Sequence, residues 1–528
     1  MGNMNLTGGF KDFGVSRRTV LKGVGAAAAL PVLAACGSQS GAAPSASASG
    51  AGSAAPSAAA SVAGGITIDE SMTTAQLAIA LAKQYAGSTI NWQVEAGTQG
   101  ALWKSIKDQW EKETGTILNV LEVPYAEQFQ RALAANQAGG GIDGLYVQYN
   151  WLPDFVNGGI IAPIDPYLDK YFTTTLLKEQ LADFVPSIRA LHTQWGGGRY
   201  GYPLDGPGFT LYYRRDIIED ADKGKAFQGQ YGYPLAVPKT WEQYRDVASF
   251  ITDTMGPKMY GGAITNAPQF DWMQIWNAPD YGDVNFFDAQ MKPMINQAPG
   301  VKALETLKSL IPSAPDGSQS WGPIETWSLF LKGGLGMTVT WPPLGRLSEG
   351  FGAYDPLLNF VPPSTVVGKV GSALPPGGTM QDASGYAIGI ASTSEVQELV
   401  FAFITWATAP DVSVALLSNP ASFCRPVRYS SFSSPILDNL FPGAKGQYDV
   451  MEEGAMHLTP DLVCINSQQY LTALGEGVSS AVTGTVEPQA ALDSVAEAWE
   501  RLTDQVGREE QAKAYAEFQK NVEVLKST

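Results

Sequence analysis

The chain has 528 residues, and its 51 Asp and Glu against 34 Lys and Arg give a net charge of −17. A surface this acidic repels phosphate backbones and anionic headgroups, which argues against nucleic-acid binding and against electrostatic docking on a membrane. The length exceeds what a single hydrophobic core holds, and an apolar share of 45% with 10% aromatics fits a globular body of two or three compact units.

In chain order, residues 1–35 read as an export signal. Arg17 and Arg18 open it, and Lys22 is its last charge. Gly23–Ala35 is apolar but shorter than the about 20 residues a bilayer needs. Arg17-Arg18 before Val20-Leu21-Lys22 resembles a twin-arginine signal. The ending Leu33-Ala34-Ala35-Cys36 resembles a bacterial lipobox, which implies cleavage before Cys36 and a lipid on its sulfur. An uncleaved anchor and an ordinary thiol at Cys36 are the alternatives. The leader holds Lys11, Arg17, Arg18 and Lys22 against Asp12 alone, so the mature chain is more acidic than the whole. Residues 36–65 continue as Gly, Ala, Ser and Pro almost throughout. They bury too little surface to offset ordering entropy and predict a flexible tether.

A helix is expected over 71–86, with strands at Ser88–Val94, Thr116–Pro124 and Ile142–Tyr149. Between them, Ala101–Thr114 places Leu102, Ile106 and Trp110 four apart before a stop at Gly115, and Tyr125–Gly140 is helical. Alternation of this kind implies an α/β body with a mostly parallel sheet. Thr240-Trp241-Glu242-Gln243 and Ser394-Glu395-Val396-Gln397 both fit capping boxes. The second leads into an apolar stripe along Val396, Leu399, Val400, Phe403 and Ala407.

Chemistry is sparse. His192 and His457 are the only histidines, with no HExxH and no Cys–His cluster, so no metal and no cofactor is expected. Gly196, Gly198 and Gly201 match G-x-G-x-x-G, but the prolines that follow forbid the required helix, leaving a glycine-rich turn. Cys424 and Cys464 form a disulfide or stay as buried thiols. The 13 tryptophans are the strongest signal. Trp151, Trp272, Trp276 and Trp341 sit beside Gly, Pro, Asn or Asp. There a flat indole could meet the C–H face of a pyranose while polar neighbours bond its hydroxyls. A core role for each is the alternative.

Several stretches together resemble the family 1 extracellular solute-binding proteins, the group that includes maltose-binding protein. They are "GRYGYPLDGPGFTLYYRRDII" (Gly198–Ile218), "VPKTWEQYRDVA" (Val237–Ala248), "FLKGGLGMTVTWPP" (Phe330–Pro343), "GYAIGIASTSEVQELVFAFITWATAPD" (Gly385–Asp411), "CRPVRYSSF" (Cys424–Phe432) and "VEPQAALDSVAEAWERL" (Val486–Leu502). The resemblance covers roughly residues 88–505 in family order. It departs at Tyr213-Arg214-Arg215-Asp216, where the family carries YNKD, and at the extra helix over 71–86.

The resemblance implies a two-lobed, periplasmic-binding-protein-like (type II) α/β fold with hinge-crossing strands. Lobe 1 would comprise 66–206 with 384–420, and lobe 2 would comprise 207–383 with 421–528. It also implies a sugar or oligosaccharide held between the lobes and delivered to ABC-importer permease subunits, with no catalysis. The protein would be an exported monomer, lipid-anchored on the outer face of the cytoplasmic membrane or in the periplasm. Because ligands lie beyond the carboxyl ends of strands in open α/β sheets, the resemblance makes Asn150, Trp151, Asp205, Trp341, Tyr386 and Arg428 expected ligand contacts, and their Asn- and Asp-flanked setting adds Trp272 and Trp276. An exported carbohydrate-active enzyme, or the same fold binding a polyamine or a peptide, are the competing readings.

Overall fold

The computed structural model describes residues 61–63 and 66–527, apart from positions 70, 207, 264–266, 283–284, 353–354, 383–384, 421 and 441. The export signal, Cys36 and the tether up to residue 60 lie outside the described residues. The end of the expected tether carries a short ribbon, in which Ser61–Ala63 pairs antiparallel with Ile66–Ile68.

Helix α1 (Thr74–Ala82) starts later than the sequence suggests, because Thr73 and Gln76 close a capping box. The expected alternation follows: β1 (Thr89–Glu95), α2 (Thr98–Thr114), β2 (Ile117–Val123), α3 (Gln128–Gln137) and β3 (Gly144–Gln148). Leu102, Ile106 and Trp110 are all buried, and α2 ends at Gly115. Next come β4 (Ile161–Ala162), α4 (Pro186–Thr193) and β5 (Tyr202–Asp205). Gly196 and Gly197, with φ of 59° and 81°, form the turn of a hairpin between Gln194–Trp195 and Gly198–Arg199. That left-handed pair of residues suits a tight hairpin and no nucleotide loop.

The chain then builds β6 (Thr210–Arg214), α5 (Trp241–Met255), α6 (Pro268–Trp276), α7 (Ala298–Ser309), β7 (Met337–Thr340), β8 (Val370–Ala373) and β9 (Met380–Asp382). It returns through β10 (Tyr386–Ala391) and α8 (Gln397–Ala407). It closes with β11 (Leu458–Pro460), α9 (Ser467–Val482), α10 (Pro488–Val506) and α11 (Arg508–Ser527). Thr240 caps α5 as expected, accepting from the Gln243 amide at 3.2 Å. Ser394 does not cap α8. Its hydroxyl bonds Asp143 at 2.7 Å, and the helix begins at Gln397.

The first sheet runs β2-β1-β3-β10-β4, with β5 also on β10. β1 is parallel to β2 and β3, but β10 is antiparallel to β3, β4 and β5. The sheet is therefore mixed rather than mostly parallel: β10 re-enters it from the edge where β3 and β5 end. The second sheet, β7-β6-β8, is antiparallel, and β9 pairs parallel with β11.

Trp92, Trp103, Trp110, Phe403 and Trp406 pack ring to ring between the first sheet, α2 and α8. Every residue from Leu399 to Ala407 is buried, not one stripe alone. The reason is α1, whose Leu77, Ala78 and Leu81 cover the outer face of α8. The extra helix is thus a roof over this core. The last helix, α11, packs on α4, and Asn521 Nδ2 donates to the Gln194 carbonyl at 2.9 Å.

Candidate functional site

Three passages of chain run side by side between the two sheets. They are marked by Asp205 and Gly206 leaving β5 with Phe209 ahead of β6, by Asp382 closing β9 with Gly385 and Tyr386 at β10, and by Arg425 and Pro426. Asp205 pairs with Tyr386, and the Phe209 amide donates to the Gln381 carbonyl at 3.1 Å. A Cβ at Gly206 would overlap the Pro426 carbonyl oxygen, so only glycine allows this approach. The buried Asp205 carboxylate accepts from Arg425 three times: from the backbone N (2.7 Å), Nε (2.9 Å) and Nη2 (2.5 Å). Asp205 therefore lies at the crossing, as the sequence implies, but its oxygens face Arg425 as a strut between passages. His192 Nε2 sits 2.8 Å from Asp382 Oδ2, with its ring stacked on Tyr149 at 4.9 Å. Tyr149 Oη donates to the Asp382 carbonyl, and Gln381 Nε2 donates to Asp461 Oδ1 at 2.6 Å.

The carboxyl edge of the first sheet forms one polar face beside this crossing. Glu95 ends β1, Gln148 ends β3 and Tyr386 opens β10, so strand ends gather their side chains. Tyr386 Oη donates to Glu95 Oε2 at 3.1 Å, Gln148 Nε2 reaches Tyr386 Oη at 3.3 Å, and Tyr125 Oη donates to Gln148 Oε1 at 3.0 Å. Burial raises the Glu95 carboxyl above its ordinary range; Tyr386 opposes that and the Asp205 charge adds to it. Asn150 and Trp151 occupy the turn after β3. Asn150 is 4% exposed, and its Oδ1 has no hydrogen-bond partner among the described residues. Trp151 packs beside Tyr125 and Phe129, with its Nε1 3.4 Å from Gln468 Oε1 on α9. One turn further on, Asp154 accepts from the Asn466 amide at 2.9 Å.

A second face is aromatic. Trp341 follows β7, half-buried, and meets Phe209 edge-on at 4.9 Å and Phe270 at 6.2 Å. Phe209 precedes β6 and Phe270 lies in the first turn of α6, so three elements supply the three rings. Next to Phe270, Pro268 and Gln269 border an open groove of about 520 Å³ whose other side is α9, from Gln468 to Ser479. Gln468, which Trp151 reaches from the first face, lines this groove.

Of the expected contacts, Asn150, Trp151 and Tyr386 gather on the first face and Trp341 stands on the second. Trp272 and Trp276 do not reach either. They lie four residues apart on α6, fully buried and stacked at 4.7 Å, and Trp272 Nε1 donates to the Gly300 carbonyl. Arg428 is also buried away from the groove. Its guanidinium sits 3.7 Å from the Phe184 ring centre and bonds Asp183 and Gln180. Cys424 and Cys464 are both free and buried, so the disulfide is not formed. Burial pushes the Cys424 thiol up to about 12 and raises Cys464 as well. Glu95, Tyr125, Gln148, Phe209 and Phe270 belong to the site and were not singled out from sequence. The strand-end rule reaches Glu95 once β1 is extended by one residue.

Residues 95–413 match the bacterial extracellular solute-binding protein family. The chain belongs to this family. Among curated relatives of this solute-binding protein, a binding protein of Brucella abortus (strain 2308) is 24% identical over 250 residues. That match covers 46% of the chain and 55% of the relative, so the chain spans about half the length of the Brucella protein it matches. An ABC transporter-binding protein of Deinococcus radiodurans is 24% identical over 316 residues, covering 57% and 66%. Among solved structures, an ABC transporter solute-binding protein of Agrobacterium radiobacter K84 in complex with ribitol superposes with a TM-score of 0.63. It is 22% identical, over 79% of this chain and 99% of that one. Maltose-bound MalE3 of T. maritima gives 0.61 at 19% identity, over 79% and 100%. The fold is thus the two-lobed α/β fold of solute-binding proteins, with the polar face on one sheet and the aromatic face on the other.

Proposed function

We propose that this solute-binding protein captures a sugar or polyol between the two faces and hands it, unchanged, to the membrane permease of an ABC importer. The observation that carries the reading is the buried Asn150 amide oxygen, which has no partner among the described residues and lies in the turn after the strand that ends at Gln148, together with the half-buried Trp341 after β7. A buried unpaired amide costs about 1–3 kcal/mol, which a ligand donor would recover. Stacking on Trp341 suits the C–H face of a sugar. Solved relatives hold ribitol, maltose and D-mannitol.

The acids at the crossing favour a neutral ligand over a polyamine. Asp205 is bound by Arg425, Asp382 by His192 and Asp461 by Gln381. We assign the first lobe to 66–206 with 384–420 and the second to 207–383 with 421–528, and α11 reaches back to α4. We further propose export, lipid attachment at Cys36, and a tether that holds a monomeric body above the membrane. Ligand would draw the lobes together because only the closed form offers both faces at once.

Calorimetry of the purified protein against ribitol, D-mannitol, D-tagatose, maltose and common hexoses tests the reading. At least one should bind with micromolar or tighter affinity, shift tryptophan fluorescence and be recovered intact. Silence across the panel would remove the sugar assignment, and turnover of the ligand would favour an enzyme.

A further inference from the structure

Behind the aromatic face lies a second, smaller pocket. Phe209, Trp241, Tyr244, Asp271, Gln274 and Leu307 are among its walls. Its cavity volume is about 30 Å³, room for two or three waters or one small group, and too little for a sugar ring. Phe209 is shared: it lines this pocket and also meets Trp341 and Phe270. Asp271 directly follows Phe270.

We infer that this pocket receives a terminal hydroxymethyl group of the bound sugar or polyol, an inference that rests on the ligand class proposed above. The polar groups on the walls decide the chemistry. Trp241 is 5% exposed, and its Nε1–H is buried with no acceptor among the described residues. Tyr244 is buried too. Its Oη lies against Gly262. Gln274 is already committed, donating to the Thr379 carbonyl and accepting from the Gln381 amide. Asp271 brings a carboxylate that is nine-tenths buried.

A hydroxyl is the small group that accepts from an indole N–H while donating to a carboxylate or a phenol. A methyl group would leave the Trp241 N–H dry and unpaired, and so would an ammonium, which has no lone pair to offer. The methylene beside the hydroxyl is matched by the apolar walls Phe209, Leu307 and Leu310. The pocket therefore selects ligands that end in –CH2OH.

The test is calorimetry on the full purified protein with matched pairs: D-galactose against 6-deoxy-D-galactose, D-glucose against 6-deoxy-D-glucose, and D-glucose against D-xylose. For any pair whose hexose binds, the hydroxymethyl member should bind roughly 100-fold more tightly, because a site built to hold a hydroxyl strongly rejects its absence. Trp241→Phe keeps the ring and removes the N–H, and should shrink the ratio below about 5-fold. Ala263→Leu, which fills the pocket from another wall, should do the same if Trp241→Phe folds poorly by its melting curve. Equal binding of both members by the wild-type protein overturns the inference and leaves the sugar reading intact. A ratio that persists in both variants overturns the placement at this pocket. No binding by any panel member overturns the inference together with the reading beneath it.

Discussion

The two faces of the groove are built by opposite means. On the first sheet, Glu95, Gln148 and Tyr386 hold one another by hydrogen bonds, and the Asn150 amide oxygen has no partner among the described residues. On the second, Phe209, Phe270 and Trp341 meet edge to face and offer area rather than direction. The polar face grows where strand ends converge on a dry crossing, and buried polar groups there must be fixed by partners. The aromatic face takes one ring from each of three elements. On the proposed reading one face would orient the ligand while the other supplies contact surface, and the Asp205–Arg425 and Asp154–Asn466 bonds would be the two joints between the proposed lobes.

Changing a joint should have the largest effect. Asp205→Ala leaves Arg425 buried without its carboxylate, and removing one partner of a buried pair costs about 3–5 kcal/mol. Urea unfolding should show that loss; a change below about 1 kcal/mol would mean that the Asp205–Arg425 pair is no strut. Asp154, the second joint, gives a pH-dependent effect. Burial raises its carboxyl to about 6, against a weaker opposing bond from Asn466. The folded carboxyl thus holds its proton where an unfolded one has lost it, so its contribution is best at acid pH and declines as pH climbs through about 6. Asp154→Asn keeps an acceptor for Asn466 and should abolish that decline, gaining up to about 2–3 kcal/mol over wild type above pH 6 and little below pH 4.

The faces themselves should respond more weakly and in affinity. Trp341→Ala should weaken ligand binding by about 2 kcal/mol on calorimetry, the value of one buried ring face with its edge contacts. Asn150→Ala should cost about 1 kcal/mol of affinity while leaving stability equal or higher, because it deletes an unpaired buried amide. If Asn150→Ala lowered stability and spared affinity, the polar face would be a core feature rather than a binding one.

Much of the first sheet was legible because local signals agreed. The four-residue spacing of Leu102, Ile106 and Trp110, the stop at Gly115 and the short apolar strands all point the same way. Asn150 and Trp151 were legible for the same reason, since they directly follow a strand. Glu95 was lost to a strand end set one residue short. Trp272 and Trp276 misled because Asn277 and Asp280 beside them suggest a loop, whereas Pro268 opens a helix that turns both rings into the core. Arg425 and Arg428 look alike in sequence, and only long-range packing gives the first Asp205 and the second Asp183 and Phe184. The antiparallel entry of β10 was hidden because direction in a sheet depends on where a returning chain comes from.

The three adjacent passages at Gly206, at Tyr386 and at Pro426 carry a mechanical consequence. A panel hung on a single pin can swing, slide and spin. Pins set in a row leave it one swing, and here the Asp205–Arg425 clasp and the Gly206–Pro426 contact set that row. Were the two proposed lobes to move against each other, these contacts would confine the movement to pivoting about that line, and the indole of Trp341 would follow one fixed arc.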